Sequence, residues 1–179
     1  MNILLLSGSF HSRSKSNLIL AGLMNYFPEN QYAFPKLDDL PFFSEDLNAD
    51  KPEIVTEFLQ QVAACDGIVI CSPEYNHSIP AVLKNALDWA SRPAFKSGLK
   101  DKPVTIITQA NSAVGGARAQ AHIKLVLDST LSLIYPAHEM MIPYIDKVID
   151  ESGSIVDLDV ERRLKRHFVG FVEFMAGNS

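Results

Sequence analysis

The stretch DGIVICSPEYNHSIPAVLKNALDWASRP, residues 66–93, decides the fold. Gly67 to Cys71 is an unbroken apolar run centred on Ile68, Val69 and Ile70, which predicts a short strand buried on both faces of a parallel sheet. Ser72 to Ser78 breaks that pattern, and Pro73 fixes one φ angle and removes an amide donor as the chain leaves the strand. Pro80 suits a first helical turn, and Ile79, Val82, Leu83, Ala86, Leu87 and Ala90 recur at helical spacing until Arg92-Pro93 stops them. Strand, stiff polar loop and helix in that order make a binding-site architecture, because ligands of open α/β sheets sit beyond the carboxyl ends of the strands.

Working outward, Asn2 to Ser7 predicts a first buried strand with Ile3 to Leu6 at its centre. The segment GSFHSRSKSN, residues 8–17, follows it, and an apolar helical pattern then runs from Leu18 to Phe27 before Pro28. A hydroxyl-rich loop at a helix N-terminus can surround an anion with amides and a favourable dipole. The same residues also read as a serine-rich connector with Ser16 as N-cap, and neither a Walker A nor a G-x-G-x-x-G pattern is present. Residues 31–37, QYAFPKL, predict a second strand near a sheet edge because of Pro35. Glu53 to Ala64 predicts a helix, Val104 to Thr108 a fourth strand, Ala117 to Thr130 a helix, Leu133 to Pro143 a last strand, and Leu158 to Met175 a closing helix. Between strand 4 and its helix, QANSAVGG (Gln109 to Gly116) reads either as a ligand loop with two permissive glycines or as an ordinary turn. Arg162, Arg163, Lys165 and Arg166 read as a solvated face of the last helix.

Alternation of strands with helix-length crossovers predicts one α/β domain over residues 1–179, a five-stranded parallel sheet with helices on both faces. With strand order 2-1-3-4-5, the loops after strands 1 and 3 converge on one crevice. A chain of 179 residues with 47% hydrophobic content can fill such a core. Net charge is -5, and no Lys/Arg run exceeds Arg162-Arg163, so no nucleic-acid or anionic-membrane partner is expected. MNILLLSGSF lacks a basic leader region and no run is long enough to span a membrane, so the expected location is cytoplasmic. Cys65 and Cys71 read as buried reduced thiols, and His11, His77, His122, His138 and His167 are too scattered for a metal site.

Gly8-Ser9 with Ser14, Ser16 and Asn17, followed by SPEYNHSIPAVLKNALDWASRP, resembles the NADPH-dependent FMN reductase family of flavodoxin-like flavoproteins. The similarity extends to LPFFSEDL and to the Ser112 to Gly116 loop. It implies a flavodoxin-like three-layer sandwich that binds FMN, with NADPH or NADH as co-substrate. It places Ser9, Ser14, Ser16 and Asn17 on the FMN phosphate, Pro73, Glu74, Tyr75 and Asn76 at the isoalloxazine, and Ser112, Gly115 and Gly116 at the completion of the ring site. Many relatives carry Arg two residues after the Gly-Ser pair, whereas this chain has His11 there and Arg13 two places later. Either side chain can face the phosphate. The implied activity is FMN-dependent NAD(P)H oxidoreduction, by a ping-pong scheme, onto free flavin, a quinone or a similar small-molecule electron acceptor. Direct hydride transfer needs no acid–base side chain, so no catalytic residue is assigned. The alternatives are a non-enzymatic flavodoxin-type electron carrier and a flavin-binding regulatory module. A homodimer or homotetramer is expected, because Ile123, Leu125, Val126, Leu127, Leu131, Leu133 and Ile134 exceed one buried stripe.

Overall fold

The unbroken apolar runs become the centre of the sheet in the computed structural model, which describes residues 1–178. Every residue of β3 (Gly67–Pro73) and of β4 (Pro103–Gln109) is buried. β1 (Asn2–Ser7) pairs with β3 on one side and with the three-residue edge strand β2 (Gln31–Ala33) on the other. All pairings are parallel and the order is β2-β1-β3-β4-β5. Alternate residues serve opposite faces. Leu4, Leu6, Ile68, Ile70 and Ile106 pack beneath α2 (Glu53–Ala64), α3 (Ala81–Ala90) and α4 (Ala117–Ser129), through Phe58, Leu83, Leu87 and Ile123 among others. Ile3, Leu5, Val69 and Ile107 pack beneath α1 (Lys15–Tyr26) and α6 (Leu158–Ala176), through Leu20, Leu23, Phe168 and Phe171. The expected three-layer sandwich is therefore what the chain adopts. Among the described residues no helix is long and apolar enough to cross a membrane.

The last strand departs from expectation. Instead of one element, β5 (Leu133–Ile134) pairs with Pro103 and Val104, and β6 (Met140–Ile142) pairs with Ile107 to Gln109, both on the same edge of β4. Residues 135–139 leave the edge between them. Pro136 has no amide to donate, so the ladder cannot continue through it. A four-residue helix, α5 (Ile145–Val148), follows β6. Helix α1 also starts earlier than its apolar pattern: Ser14, not Ser16, is the N-cap, its hydroxyl accepting from the Asn17 amide at 3.2 Å.

Two polar side chains pin the connection after β2. Asn85 Oδ1 on α3 accepts from the Phe43 amide at 2.8 Å, and the fully buried Trp89 donates Nε1–H to the Pro41 carbonyl at 2.8 Å. LPFF is thereby held against the helix that follows the second loop. On the opposite face His167 of α6 lies 2.6 Å from the Thr105 hydroxyl, and burial pulls its pKa down to about 4. Its folded pKa lies below the unfolded value of about 6.5, so the unfolded chain takes up the proton first. The contribution is fully present above about pH 6.5 and is lost as the pH falls towards 4, with an upper bound of about 3 kcal/mol. Urea midpoints of the wild type should fall across this window, and His167→Gln should flatten that part of the curve. Parallel curves would assign the acid loss to other groups.

Candidate functional site

The crevice opens at the carboxyl ends of β1, β3 and β4, where strand order reverses. Gly8 donates its amide to the Cys71 carbonyl at 2.8 Å, extending the β1–β3 pairing into the first loop. A Cβ on Gly8 would lie 2.3 Å from the Ser72 hydroxyl oxygen. The first loop then folds on itself. Ser7 Oγ accepts from the Ser9 amide at 3.2 Å, the Ser14 amide donates to the His11 carbonyl at 2.9 Å, and His11 Nδ1 accepts from the Arg13 amide at 3.0 Å. With Nδ1 accepting, Nε2 carries the proton and is the ring atom left for a ligand.

Two cavities flank Ser9. One, of about 260 Å³, brings together Ser9, His11, Arg13, Ser14 and Lys15 with Pro73, Glu74 and Tyr75, and with Gln109 to Asn111 from the third loop. The other, of about 250 Å³, lies between Phe10, Asn17, Phe34, Lys36 and Val82. Asn17 Oδ1 is buried without a hydrogen-bond partner. Ser16 lines neither cavity; it is fully buried, and its hydroxyl accepts from Gln109 Nε2 at 3.3 Å. Ile145 and Asp146 close the first cavity from the connection after β6. Asp146 pairs with Lys15 at 3.9 Å, and its backbone amide donates to Asn111 Oδ1 at 3.1 Å. No local pattern in the sequence connects Asp146 to a loop 35 residues earlier.

The second loop is a two-residue hairpin. Tyr75 and Ser78 exchange both backbone hydrogen bonds, at 3.0 and 2.9 Å, and Asn76 and His77 at its tip have φ of 49° and 64°. Positive φ at both central residues is the geometry of the type I′ turn that Asn at the first position favours. Ser78 Oγ sits 2.9 Å from His122 Nδ1, which ties the hairpin to α4. His77 is exposed at the tip, and Tyr75 is half-exposed above the cavity.

Glu74 lines the first cavity, and its carboxylate is taken up by α4. The N-cap of α4 is Gly116, which has no side chain to offer, and the first turn of α4 contains no acid. Glu74 supplies both from across the crevice, accepting from the Arg118 amide at 2.9 Å and the Ala119 amide at 3.2 Å, and pairing with the Arg118 guanidinium at 3.3 Å. Burial raises its pKa, but the Ala119 and Arg118 amides and the Arg118 charge outweigh that and hold it below the ordinary value. Gly115 and Gly116, at φ of 57° and 84°, pack against the Ile142 backbone and against Thr108, where an added Cβ would approach to 2.9 Å in each case. Together with Ser112 they shape the start of α4 and line neither cavity.

This donor set fits an FMN phosphate. Ser9 and Ser14 supply hydroxyls, His11 Nε2, Arg13 and Lys15 supply N–H donors, and the N-terminus of α1 supplies its dipole. Asn17, with its amide oxygen unpartnered, lines the second cavity beside Ser9. Cys71, fully buried with its thiol pushed up to about 12, is inert.

Comparison with known proteins agrees with that chemistry. The sequence model of NADPH-dependent FMN reductases matches residues 1–147. A 2-hydroxy-1,4-benzoquinone reductase of a Burkholderia species is 37% identical over 166 residues, covering 92% of this chain and 91% of that protein. The quinone reductase of Escherichia coli K12 is 31% identical over 180 residues, covering 98% and 95%. Among solved structures, the NAD(P)H:acceptor flavoenzyme FerB of Paracoccus denitrificans superposes with a TM-score of 0.90 at 27% identity, covering 99% of this chain and 98% of that one.

Glu74→Ala should cost about 1–2 kcal/mol, the range of a lost helix cap, read as a lower urea midpoint. Glu74→Gln keeps one acceptor and should lose less. Equal stability of wild type and Glu74→Ala would dismiss the cap.

Proposed function

The chain belongs to the NADPH-dependent FMN reductase family, and from that membership we propose how its own residues serve an FMN-dependent NAD(P)H oxidoreductase. The observation that carries the reading is the convergence of three loops on one crevice, with hydroxyls and cations gathered at the N-terminus of α1. FMN, when bound, accepts a hydride from NAD(P)H and passes two electrons to an oxidised acceptor.

The protein's part is position and charge. Ser9, Ser14 and His11 Nε2 hold the phosphate, with Arg13 and the Asp146-paired Lys15 as the cations beside it. Ser16 serves at one remove, through Gln109. Pro73 to Asn76 present a rigid backbone edge to the flavin ring, Glu74 by fixing α4 and Tyr75 by covering the cavity. Gln109 to Asn111 complete the opposite wall, and the Ser112 to Gly116 turn behind them leads into α4. The acceptor is a small, flat, oxidised molecule of the quinone class, in keeping with the names of the Burkholderia and E. coli relatives. A cytoplasmic setting suits the two free cysteines.

Because the three loops are occupied in holding FMN, NAD(P)H and acceptor use one position in turn. Anaerobic mixing of FMN-loaded protein with NADPH, and then NADH, should bleach the flavin, and steady-state double-reciprocal plots should be parallel. Intersecting lines would refute the shared position. His77→Ala should slow turnover by less than about tenfold, below the usual general-acid contribution. A loss of several hundredfold with FMN still bound would make His77 a catalytic residue.

Placement of the phosphate has its own test. Ser9→Ala combined with Ser14→Ala should weaken FMN by more than about tenfold and leave riboflavin nearly unaffected, because a charge-assisted hydrogen bond contributes about 1.5–3 kcal/mol. Equal losses for both ligands would place the phosphate elsewhere.

The assembly is a homo-oligomer in which a second copy covers the crevice. Of the apolar residues around α4, Ile123 and Leu127 are in the core, whereas Leu125 is 69% exposed and Leu131 45%. Tyr75 and Val114 add exposed apolar surface on the loops flanking the crevice. Light scattering at micromolar concentration should give at least twice the chain mass of 19.8 kDa. A monomeric mass would overturn this.

A further inference from the structure

Helix α6 carries four cations within five residues, Arg162, Arg163, Lys165 and Arg166, and the structure divides them into two pairs. Arg162 is neutralised by Asp159 at 2.5 Å and Lys165 by Glu161 at 2.6 Å. Arg163 and Arg166 have no carboxylate within ion-pair distance among the described residues. Three residues apart, they share one face of the helix. That face looks onto the segment between β5 and β6 that leaves the sheet edge, and between the two lies a cavity of about 680 Å³. It shares no lining residue with either cavity beside Ser9.

The wall chemistry is two-sided. Arg163 is anchored by a hydrogen bond from Nη2 to the Met141 carbonyl at 3.3 Å, and Arg166 is exposed with no hydrogen-bond partner among the described residues. Glu139 also lines the cavity, but Lys124 neutralises it at 2.5 Å. The local field is therefore positive on a chain whose net charge is -5. Tyr135, Pro136, His138 and Met140 line the cavity from the 135–140 segment. His167 cannot provide further charge at neutral pH, since burial holds its pKa near 4.

Guanidinium groups recognise carboxylates and phosphates through paired N–H donors, and a cavity of this size lies in the range of organic small-molecule sites. We propose that the cavity between α6 and the 135–140 segment is a second ligand site, separate from the flavin crevice, for a planar organic carboxylate. The carboxylate lies between Arg163 and Arg166, and the ring lies against Tyr135 and Met140.

The probe is 2-naphthoate, titrated calorimetrically into the intact FMN-loaded protein so that the flavin site is already filled. Saturable binding is expected in the wild type. Arg166→Ala should weaken it by at least about tenfold, the scale of one lost charge-assisted contact, with thermal midpoint and flavin absorbance unchanged. Arg163→Ala should weaken it as well. The uncharged 2-naphthamide should bind at least about tenfold more weakly than the acid. Absence of binding up to about 10 mM, a dissociation constant too weak for a site, would overturn the proposal. So would equal affinity in wild type and both arginine variants, or displacement by NADP⁺, which would put the probe in the flavin crevice. Inorganic phosphate competing as well as 2-naphthoate would show that the apolar wall plays no part and would overturn the organic ligand.

Discussion

The contact on which the site depends is the one between the ends of β1 and β3. The Gly8 amide reaches the Cys71 carbonyl at 2.8 Å, and the space where a Cβ would project is already taken by the Ser72 side chain. Ser72 is itself fixed, its hydroxyl donating to the Pro73 carbonyl at 2.9 Å. Any side chain at position 8 would push the first loop away from the second. Because strand order reverses at this point, the two loops meet here without a helix between them, and their separation sets the width of the crevice.

A second set of ties holds the far wall. Helix α4 begins at a glycine, so its amides need an acceptor from elsewhere, and Glu74 supplies one from the loop after β3. Four residues further along the same loop, Ser78 meets His122 one turn deeper in α4. The hairpin is thus tied to α4 on both sides of Tyr75. A carboxylate bound to a helix N-terminus is favoured both by the dipole and by two real hydrogen bonds. That is why Glu74 stays ionised in spite of burial, and why it is unsuited to exchange protons with a substrate.

The strands of the central sheet and the positions of the three loops were legible in the sequence because they rest on local signals: apolar runs too short for helices, each ending in polar or turn-forming residues. What escaped was set by contacts distant in sequence. Glu74 reads as a polar loop residue until α4, 44 residues on, is folded over it. Asp146 enters the crevice only because β6 returns beside β4. The break of the last strand was signalled by Pro136, but that both halves share one edge depends on the length of β4. Ser14 and Ser16 compete for the cap on pattern alone. The choice follows from Ser16 facing Gln109 under the sheet, a contact 93 residues apart. Arg163 and Arg166 resemble a solvated helix face, since the wall they oppose is built by another segment.

Several ionisable groups of the crevice already have a structural partner. Glu74 holds the start of α4, Asp146 holds Lys15 and Asn111, and His11 spends Nδ1 on its own loop. A group bound in this way contributes charge and shape to the crevice. Chemistry that moves an electron pair between two bound rings asks for nothing more than close, ordered contact. On the reading proposed above, discrimination among acceptors is then a matter of fit to the shape of the crevice.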